Sequence, residues 1–460
     1  MGSKKNAWLK FDDTKKEEIF SFCEGYKKYI SDCKTERESI KEAIYLAESK
    51  GYRDLKNVIS TGESLKAGDK VYYNNMDKSL ALFLIGSESI ESGMRIIGSH
   101  VDSPRLDLKP NPLYEDSELS LMETHYYGGV KKYQWVTIPL ALHGVVVKKD
   151  GTKIDVVVGE EETDPVVMVS DLLVHLASEQ QQKKATEVIA GEDLNILVGS
   201  MPLEGEEKEA VKANILKLLK EKYDFEEEDF MSAEIEIVPA GKARDLGLDR
   251  SMVAGYGHDD RICAYTSLLA LLETESTKKT SVVLLVDKEE VGSIGATGMQ
   301  SRFFENAVAE LMDRVGEYSE LKLRRALANS KMLSSDVTAA FDPNYAGAYE
   351  KKNSAFFGKG LAFAKYTGAR GKSGCNDANA EFVAWLRNVM DESDVSYQMA
   401  ELGKVDQGGG GTIAYILAEY GMEVIDCGVA LQNMHAPWEV ASKVDIYETM
   451  RGYKAFLIAE

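Results

Sequence analysis

The first part of the chain has apolar residues at helical spacing. Ile19, Cys23 and Tyr26 recur every three or four positions, and similar spacing continues to about residue 50. This spacing predicts amphipathic helices. Two apolar runs follow at residues 79–86 and 94–98, and each ends in glycine. Such runs are typical of strands, so the opening segment predicts helices followed by part of a sheet.

After Pro110 the pattern changes to that of β-strands. Apolar and charged residues alternate at positions 233–238, and one charged helix with an apolar stripe interrupts the strands at residues 211–222. Alternation with a period of two residues indicates a half-buried sheet. We therefore expect residues 110–243 to form a β-rich domain that is inserted into another domain.

From about residue 244 the pattern alternates between strands and helices. Residues 281–286 are continuously apolar, as expected of a buried central strand, and residues 379–390 place apolar side chains on one face of a helix. This alternation predicts an α/β fold whose mixed, mostly parallel central sheet is flanked by helices. We expect one domain that is split between residues 1–109 and 244–460, around the insert.

Composition and charge restrict the class of protein. The chain has 460 residues, enough for two domains, and a formal net charge of -21. This charge argues against a nucleic-acid or anionic membrane surface, because phosphate binding needs a basic patch. The apolar stretch near residues 136–147 is too short to cross a bilayer. The first six residues lack the apolar core of a secretion signal.

Cysteine usage indicates the redox compartment. Five cysteines are scattered along the chain, and no Cys-x-x-Cys pair is present. A disulfide framework or a cysteine zinc site is therefore not expected, and a reducing compartment fits better. We expect a cytoplasmic protein that binds neither nucleic acid nor a membrane.

Five short stretches carry residues that commonly bind metals, and most follow an apolar run that predicts a strand. Their carboxylates and imidazoles suit zinc, cobalt or manganese. Because α/β proteins gather functional residues at the carboxyl edge of the sheet, we expect the five stretches to meet there. They are Gly-Ser-His-Val-Asp (98–102), His-Asp-Asp-Arg (258–261), Asp-Lys-Glu-Glu-Val-Gly (287–292), Ser-Ser-Asp (334–336) and Asn-Met-His (433–435).

These residues are sufficient for two divalent ions. Such a site needs one bridging carboxylate and about two further protein ligands for each ion. A workable allocation uses Asp259 as the bridge. The remaining ligands are then His100 with Asp336 on one ion and Glu290 with His435 on the other.

Two residues of the same stretches remain for other roles. Asp102 lies two positions beyond His100 and can hold the second ring nitrogen of that histidine. Glu289 is left as a general base on a metal-bound water, and it can pass the proton to the leaving amine. The adjacent pair Glu289-Glu290 thus divides into base and ligand.

Each stretch taken alone has a simpler explanation. A lone His-x-Asp is common by chance, and an adjacent glutamate pair is usually solvated surface. Residues 259–261 can form a helix N-cap with an ion pair, and Asp260 can serve only in that cap. We expect structural roles for the histidines without a comparable setting, which are His125, His143 and His258. The five stretches in this order, however, indicate a metal centre.

The motifs resemble the aspartyl aminopeptidase and vacuolar aminopeptidase I family of metallopeptidases. The resemblance lies in residues 98–106, 287–293 and 434–435, and it extends through Tyr-Gly-Gly at 127–129, Trp135 and residues 410–413. It implies a zinc-aminopeptidase-like fold with an inserted dimerisation domain. It also implies a dinuclear metal-dependent aminopeptidase that removes N-terminal residues from peptides with a free N-terminus. Two divalent ions per subunit are expected, zinc first and cobalt or manganese as alternatives.

The resemblance also assigns roles to residues. It implies the same ligands as the allocation above, with Glu289 as base, and a cis peptide bond between Asp259 and Asp260. It further implies that His175 reaches into the active site of a neighbouring subunit, where it can bind the substrate carbonyl or the oxyanion. A buried structural role for His175 remains an alternative. The expected assembly is a dimer-based homo-oligomer, a tetrahedral dodecamer.

Substrate contacts are predicted at Lys365, Gly410 and Met434. Aspartyl-specific members of the family carry a lysine near this place, but Lys365 matches it only if one residue is inserted, and Arg370 and Lys372 compete with it. Acidic and neutral N-terminal residues of the substrate therefore both stay open. The glycine-rich residues around Gly410 lack the lysine of a phosphate-binding loop and predict a turn near the site or a backbone contact with substrate.

Two alternative functions remain. A carboxypeptidase or an N-acyl amino acid deacylase can use the same two-metal scaffold, but a carboxypeptidase needs a basic group for the C-terminal carboxylate. A catalytically silent, self-assembling scaffold would keep the fold without the reaction. The presence of every ligand and of Glu289 argues against a silent scaffold.

Overall fold

The structure is a computed structural model, and it describes residues 5–460. Within these residues the α-helices are α1 (Asp13–Asp32), α2 (Glu36–Ser49), α3 (Leu55–Thr61), α4 (Ala210–Tyr223), α5 (His258–Leu272), α6 (Phe303–Val315), α7 (Glu320–Ala328), α8 (Ala380–Glu392), α9 (Ala414–Ala418) and α10 (Lys443–Ile458). No helix in this described part of the chain is long and apolar enough to cross a membrane.

The strands form three sheets. In chain order they are β1 (Arg53–Asp54), β2 (Lys70–Asn75), β3 (Ser79–Leu84), β4 (Arg95–His100), β5 (Arg105–Asp116), β6 (Leu119–Tyr127), β7 (Leu140–Val147), β8 (Lys153–Val158), β9 (Met168–Val169), β10 (Ile196–Gly199), β11 (Ala233–Pro239), β12 (Arg244–Leu246), β13 (Met252–Gly255), β14 (Ser281–Val286), β15 (Lys331–Ser335), β16 (Thr338–Ala339), β17 (Leu361–Ala364), β18 (Tyr397–Met399), β19 (Glu423–Gly428), β20 (Ala430–Gln432) and β21 (Glu439–Ser442).

Contacts between residues divide the chain into two compact units. The first unit comprises the chain up to Asp102 together with Ala243–Met434 and Glu439–Glu460. The second unit comprises Ser103–Lys242 and the short segment His435–Trp438. The chain therefore leaves the first unit after Asp102, returns at Ala243, and visits the second unit once more near its end.

The first unit is built on a nine-stranded sheet in the order β1-β2-β3-β14-β4-β15-β19-β17-β18. Strands β14, β4, β15 and β19 are parallel to one another, whereas β3 and β17 are antiparallel to their central neighbours. The prediction of a mixed α/β fold is confirmed. Parallel pairing holds in the centre of the sheet, and antiparallel strands border it.

Helices cover both faces of this sheet. Along β3, Leu80 and Leu82 belong to a core with α1, α2, α5, α8 and α10, whereas Ala81 and Phe83 belong to a second core with α3, α6, α7 and α9. Successive side chains of a strand point to opposite faces, so a strand buried on both faces must be apolar throughout. This explains the unbroken apolar run of β14, whose six residues are all buried.

Helix ends in this unit follow local capping rules. Helix α2 begins with a capping box in which the Thr35 side chain accepts from the N–H of Glu38, and the Glu38 carboxylate accepts from the N–H of Thr35. Helix α1 begins at the N-cap Asp12, which accepts from the N–H of Lys15. The predicted helical segment up to about residue 50 is thereby confirmed as two helices.

A five-stranded sheet, β12-β13-β21-β20-β16, completes the first unit. The second unit contains a seven-stranded antiparallel sheet in the order β8-β7-β11-β5-β6-β10-β9, together with α4. The predicted strand at 233–238 and the predicted helix at 211–222 lie in this unit as β11 and α4. The pattern of residues 105–127 did not predict β5 and β6.

Candidate metal centre

Three parallel neighbours of the central sheet deliver most of the candidate ligands. His100 is the last residue of β4, and its register partner on β14 is Val286. Glu289 and Glu290 lie in a short 3₁₀ turn that follows β14, and Asp336 follows β15 directly. Because these strands run parallel, their carboxyl ends meet at one edge of the sheet.

The turn that carries Glu289 and Glu290 is held by Asp102. One carboxylate oxygen of Asp102 accepts the backbone N–H of Glu289 at 3.1 Å, and the other accepts that of Glu290 at 3.1 Å. The turn begins at Lys288 with a φ of 70° and ends at Gly292 with a φ of 96°. These left-handed residues reverse the chain, so two successive acidic side chains occupy the edge of the sheet.

The second turn is the first turn of α5, where Asp259 and Asp260 have a non-helical backbone. The peptide bond between these two residues is cis, as the family resemblance implies. The Asp259 N–H donates to Glu439 at 3.0 Å, and Asp260 accepts the backbone N–H of His100 at 3.3 Å. The turn is thereby connected to the end of β4.

Arg261 packs beneath this turn and leaves room only for glycine at position 257. Its guanidinium donates to the carbonyl of Lys34 at 2.6 Å. Gly257 has a φ of 73°, and a Cβ there would lie 1.5 Å from Nη2 of Arg261. A larger residue at position 257 would therefore displace the segment that carries Asp259.

His100 lies at the centre of the acidic side chains. Its Nε2 is 3.2 Å from Asp259, 3.8 Å from Asp336 and 3.9 Å from Glu289. Its Nδ1 is 3.0 Å from the backbone carbonyl of Asp102. The ring is therefore oriented by Asp102 on one side and directs its other nitrogen to the carboxylates.

Two groups of potential ligand atoms share His100. The first group comprises His100, Asp260 and Asp336, and the second comprises His100, Asp259 and Glu290. In each group the ligand atoms lie within 4.8 Å of one another. Asp260 is a member that the sequence pattern suggested only as a helix cap. Its position directly after Asp259 was the available signal.

Burial and mutual repulsion perturb the titration of this cluster. The pKa of Glu289 is raised to about 8, mainly by burial; His100 opposes this shift, and the neighbouring carboxylates of Asp336, Asp102 and Asp259 add to it. Burial likewise raises the pKa of Asp336 and of Asp260. For His100, burial alone would lower the pKa, but hydrogen bonds with Asp102 and nearby carboxylates outweigh it and raise it.

The donor set fits divalent metal ions. Several carboxylates that repel one another in a buried place are costly without a compensating cation. A divalent cation would stabilise the ionised carboxylates and the neutral imidazole, and would reverse these pKa shifts. Imidazole and carboxylate oxygen are ligands that zinc accepts. The residues present therefore suit a zinc-type centre.

Other residues singled out by the sequence have varied positions. His435 belongs to the second unit, where its Nδ1 lies 3.0 Å from the carbonyl of Gly129. Met434 packs against a core cluster of the first unit. Gly410 is exposed, and its N–H donates to the carbonyl of Thr367 at 3.1 Å. His175 lies in an exposed turn of the second unit.

Three histidines that belong to neither ligand group each make a local contact through one ring nitrogen. His258 is fully buried, its Nδ1 is 2.5 Å from the hydroxyl of Tyr26, and burial lowers its pKa to about 3. His143 is buried with Nε2 2.9 Å from Glu160. His125 is exposed, with Nδ1 2.8 Å from the carbonyl of Tyr126. Each contact is of the kind that a structural histidine makes.

Comparisons with known proteins agree with this geometry. The family described as aminopeptidase I zinc metalloprotease (M18) matches residues 29–457. A probable M18 family aminopeptidase 1 of Clostridium acetobutylicum is 67% identical over 454 residues, which cover 98% of each chain. A probable M18 family aminopeptidase 1 of Thermotoga maritima is 46% identical over 455 residues, covering 99% of this chain and 98% of its relative.

Solved structures are similar over almost the whole chain. The crystal structure of an M18-family aminopeptidase from Thermotoga maritima has a TM-score of 0.95 at 45% identity and covers 99% of both chains. Aminopeptidase I from Clostridium acetobutylicum has a TM-score of 0.93 at 66% identity with the same coverage. The mApe1 dodecamer of S. cerevisiae shares the fold, with a TM-score of 0.77 at 20% identity over 95% of this chain and 96% of that chain. The chain therefore belongs to the aminopeptidase I zinc metalloprotease (M18) family and is a metal-dependent aminopeptidase.

Proposed function

We propose that this chain removes the first residue of peptides with a free N-terminus, using two divalent ions per subunit, zinc first. The ligands are His100, Asp259, Glu290, Asp336 and His435. The observation that carries the proposal is that two groups of ligand atoms share His100 at one edge of the sheet. The comparisons do not favour the deacylase, carboxypeptidase or silent-scaffold alternatives.

Glu289 is the general base of this reaction. When bound, the ions polarise the scissile carbonyl and lower the pKa of water at the site. Glu289 lies beside the ligands without belonging to either group of ligand atoms, and its backbone is fixed by Asp102. Its carboxylate accepts a proton from the attacking water and passes it to the leaving amine. Burial raises its pKa, and a nearby cation would return it to the ionised form that a base requires.

The substitution Glu289→Gln tests this role. The amide keeps the size of the side chain but accepts no proton, so we expect kcat to fall about 10²- to 10⁴-fold. Metal content, measured by elemental analysis, should stay at the wild-type ratio. Glu320→Gln, on the exposed start of α7, is the matched control and should keep full activity. Near-normal turnover in Glu289→Gln would contradict the mechanism.

We assign catalysis to the domain predicted at 1–109 and 244–460 and dimerisation to the insert predicted at 110–243. The first and second units correspond to these domains, with boundaries at Asp102 and Ala243 and with His435–Trp438 in the second unit. An exposed apolar stretch supports this division: Leu172, Leu173, Val174 and Leu176 are 46–66% exposed. We assign this stretch to the surface that a second subunit covers, with His175 reaching the neighbour's site. A tetrahedral dodecamer is the proposed final assembly.

The substrate residue is proposed to be neutral rather than acidic. Lys365 and Lys372 both contact Asp377, at 3.1 Å and 3.0 Å. An acidic substrate side chain would have to compete with Asp377 for these cations. Gly410 and Met434 remain candidates for backbone and side-chain contacts with the substrate.

Hydrolysis of a panel of aminoacyl chromogenic substrates tests this preference. Metal-stripped protein should recover activity when zinc, cobalt or manganese is added singly, and neutral residues should be cleaved faster than aspartyl or glutamyl residues. Asp377→Asn is the informative variant, because it frees both lysines and should raise the rate on acidic substrates. Faster cleavage of acidic residues by the wild type would contradict the assignment.

The cysteines support a reducing, cytoplasmic location. All five are free thiols, and four of them are buried. A protein exposed to an oxidising compartment generally pairs its cysteines. Fractionation of the source cells with an antibody to the chain would test this location, and recovery in a secreted fraction would contradict it.

A further inference from the structure

One buried carboxyl near the metal centre has no role in the ligand set. Asp426 lies on β19 and is only 3% exposed. Its register partner on the parallel strand β15 is Ser334, two residues before Asp336. A carboxyl group inside a buried strand is costly and is retained only where it is well paired.

The partner of this carboxyl is a loop threonine. The hydroxyl of Thr412 donates to Oδ1 of Asp426 at 2.6 Å. Thr412 follows the glycine-rich residues 408–411 and precedes α9, and its hydroxyl also accepts the N–H of Ala414 at 3.3 Å. Asp426 therefore holds the carboxyl end of the glycine-rich loop to the sheet.

The glycine-rich loop is joined to a second loop, and we call residues 365–377 and 402–412 the paired loops. The N–H of Gly410 donates to Thr367 at 3.1 Å, and that of Arg370 donates to Val405 at 2.9 Å. Gly409 has a φ of 125°, and a Cβ there would lie 2.6 Å from the backbone of Ala369. Close approach of the two backbones thus requires glycine.

Thr412 and Ile413, at the end of the paired loops, lie against the strands that carry the ligands. The N–H of Asp336 donates to the carbonyl of Cys427, next to Asp426, at 2.8 Å. Ile413, which directly follows Thr412, lies so close to Gly98 that a Cβ on that glycine would be 3.0 Å from its Cδ1. Gly98 is two residues before His100. The anchor point and the metal centre are therefore contiguous through β4, β15 and β19.

We infer that Asp426 is a positioning residue for the substrate. Through its hydrogen bond with Thr412, it holds the glycine-rich backbone in the position from which Gly410 contacts the N-terminal residue of the peptide. This inference rests on the proposed contact between Gly410 and the substrate. Around Gly410 and Gly411 no side chain packs against the loop, because a Cβ on either glycine would meet nothing within 4 Å. Glycine also loses more conformational freedom on ordering than other residues.

The hydrogen bond from Thr412 favours the ionised form of the Asp426 carboxyl, whereas burial disfavours it. Burial raises the pKa of Asp426 to about 7, and the hydrogen bond from Thr412 opposes the shift. A carboxylate is a stronger hydrogen-bond acceptor than a neutral amide of the same size. The same loop anchored by a neutral acceptor would be held less firmly.

The test uses Thr412→Val, Thr412→Ser and Asp426→Asn in the full chain, loaded with zinc. Thr412→Val removes the hydroxyl at constant size, and Thr412→Ser restores it. Loss of this hydrogen bond should raise KM about tenfold and leave kcat within about twofold. Deuterium exchange of the amides at 403–411 should become several-fold faster, and Thr412→Ser should return both quantities towards wild type.

Thr274→Val is the matched control. Thr274 is buried, whereas Thr412 is part-buried, and the Thr274 hydroxyl donates to the carbonyl of Ala270 at 2.7 Å, away from the paired loops. We expect it to change neither KM nor exchange of residues 403–411. An equal rise of KM in Thr274→Val would overturn the inference, because any lost buried hydroxyl would then suffice.

Amide exchange and KM together distinguish a failure of the Asp426 anchor from a failure of the proposed substrate contact. Unchanged exchange in Thr412→Val would overturn the anchor. Faster exchange with unchanged KM would overturn the link between the anchor and the substrate, and with it the contact at Gly410. The role of Glu289 is tested independently by turnover of Glu289→Gln. If Asp426→Asn does not fold, the Thr412 variants still decide the outcome.

Discussion

At the scale of single residues, Asp102 connects the parts of the metal centre. Its carboxylate accepts the N–H groups of Glu289 and Glu290, and its backbone carbonyl lies 3.0 Å from Nδ1 of His100. One buried residue thus orients a proposed ligand, a proposed base and the central imidazole. Partners of this kind fix ligand geometry and commonly contribute as much to affinity as a weak ligand does.

We expect Asp102→Asn to weaken metal binding about 10- to 100-fold. The amide can accept one N–H, but its NH₂ group faces the other N–H and repels it. The Kd of the metal, measured by competition with a chelator, should rise while the protein remains folded by circular dichroism.

Asp107→Asn is the control for this substitution, because Asp107 pairs with Arg105 in the second unit. It should leave metal affinity unchanged. A wild-type Kd in Asp102→Asn would show that the backbone carbonyl of Asp102 alone orients the site.

The sequence indicated the candidate ligands most clearly where they follow a predicted strand. His100 and the Glu289-Glu290 pair were visible because an apolar run precedes each of them. The proximity of Asp260 to His100 was not predicted, because it depends on the path of one turn. Asp426 could have been noticed as a single acid inside an apolar strand, but its pairing with Thr412 depends on loop conformation.

At the scale of elements, strand β12 is held between two helices by a buried ion cluster. Asp245 of β12 lies 2.7 Å from Lys27 of α1 and 2.7 Å from Lys443 of α10, and its other oxygen contacts Arg250. The Lys443 side chain is fully buried. Removal of one partner from such a cluster leaves a buried charge uncompensated.

We expect Asp245→Asn to cost on the order of 3 kcal/mol and to lower the apparent Tm by roughly 5 °C. Burial opposes ionisation of Asp245, but hydrogen bonds from Lys27, Lys443 and Arg250 outweigh it and lower its pKa. The stabilisation by the Asp245 carboxylate is therefore fully present above about pH 4, which is the pKa of an aspartate in the unfolded chain. It is lost as the pH falls below this value. The difference in Tm between the wild type and Asp245→Asn should be constant from pH 5 to 8 and should disappear in acid.

Arg250→Gln is the control, because the Arg250 side chain is largely exposed and an exposed ion pair contributes little. It should change Tm by much less than Asp245→Asn. Equal losses in the two variants would show that the burial of Lys443 does not govern the stability of this cluster.

Elements were predictable where periodicity is strong. Strand β14 and helices α4 and α8 were predicted to within a few residues because their apolar patterns are unambiguous. Strand β5 was missed because it contains Pro110 and Pro112 and its register shifts between Leu108 and Leu113. Proline is usually taken to argue against a strand, and only a bulged or edge position accommodates it.

At the scale of the whole molecule, the sequence pattern indicated part of the order in which the chain passes through its two units. The change of pattern after Pro110 indicated an insert, because an antiparallel sheet alternates apolar and polar residues whereas a buried sheet does not. The return of His435–Trp438 to the second unit was not predictable, because four residues carry no periodicity. How subunits associate is also not encoded in any local pattern, so the assembly must be argued from exposed surface.

We expect the double substitution Leu173→Asp with Leu176→Asp to dissociate the assembly. These side chains are 54% and 66% exposed, and a contiguous apolar stretch of this kind normally faces a partner. Two buried carboxylates at an interface would be strongly unfavourable. Light scattering after size-exclusion chromatography should move from the assembled mass towards the subunit mass of 50.9 kDa.

The same variant tests whether His175 acts between subunits. If it does, dissociated subunits should lose turnover although every metal ligand, Glu289 and His175 are still present, and their zinc content should be unchanged. Tyr45→Asp is the control, because Tyr45 is 67% exposed on α2 while its neighbours Ile44 and Leu46 pack against the core, and it should change neither mass nor turnover. Full turnover in a dissociated subunit would confine catalysis to one chain, and an unchanged mass would place the subunit interface elsewhere.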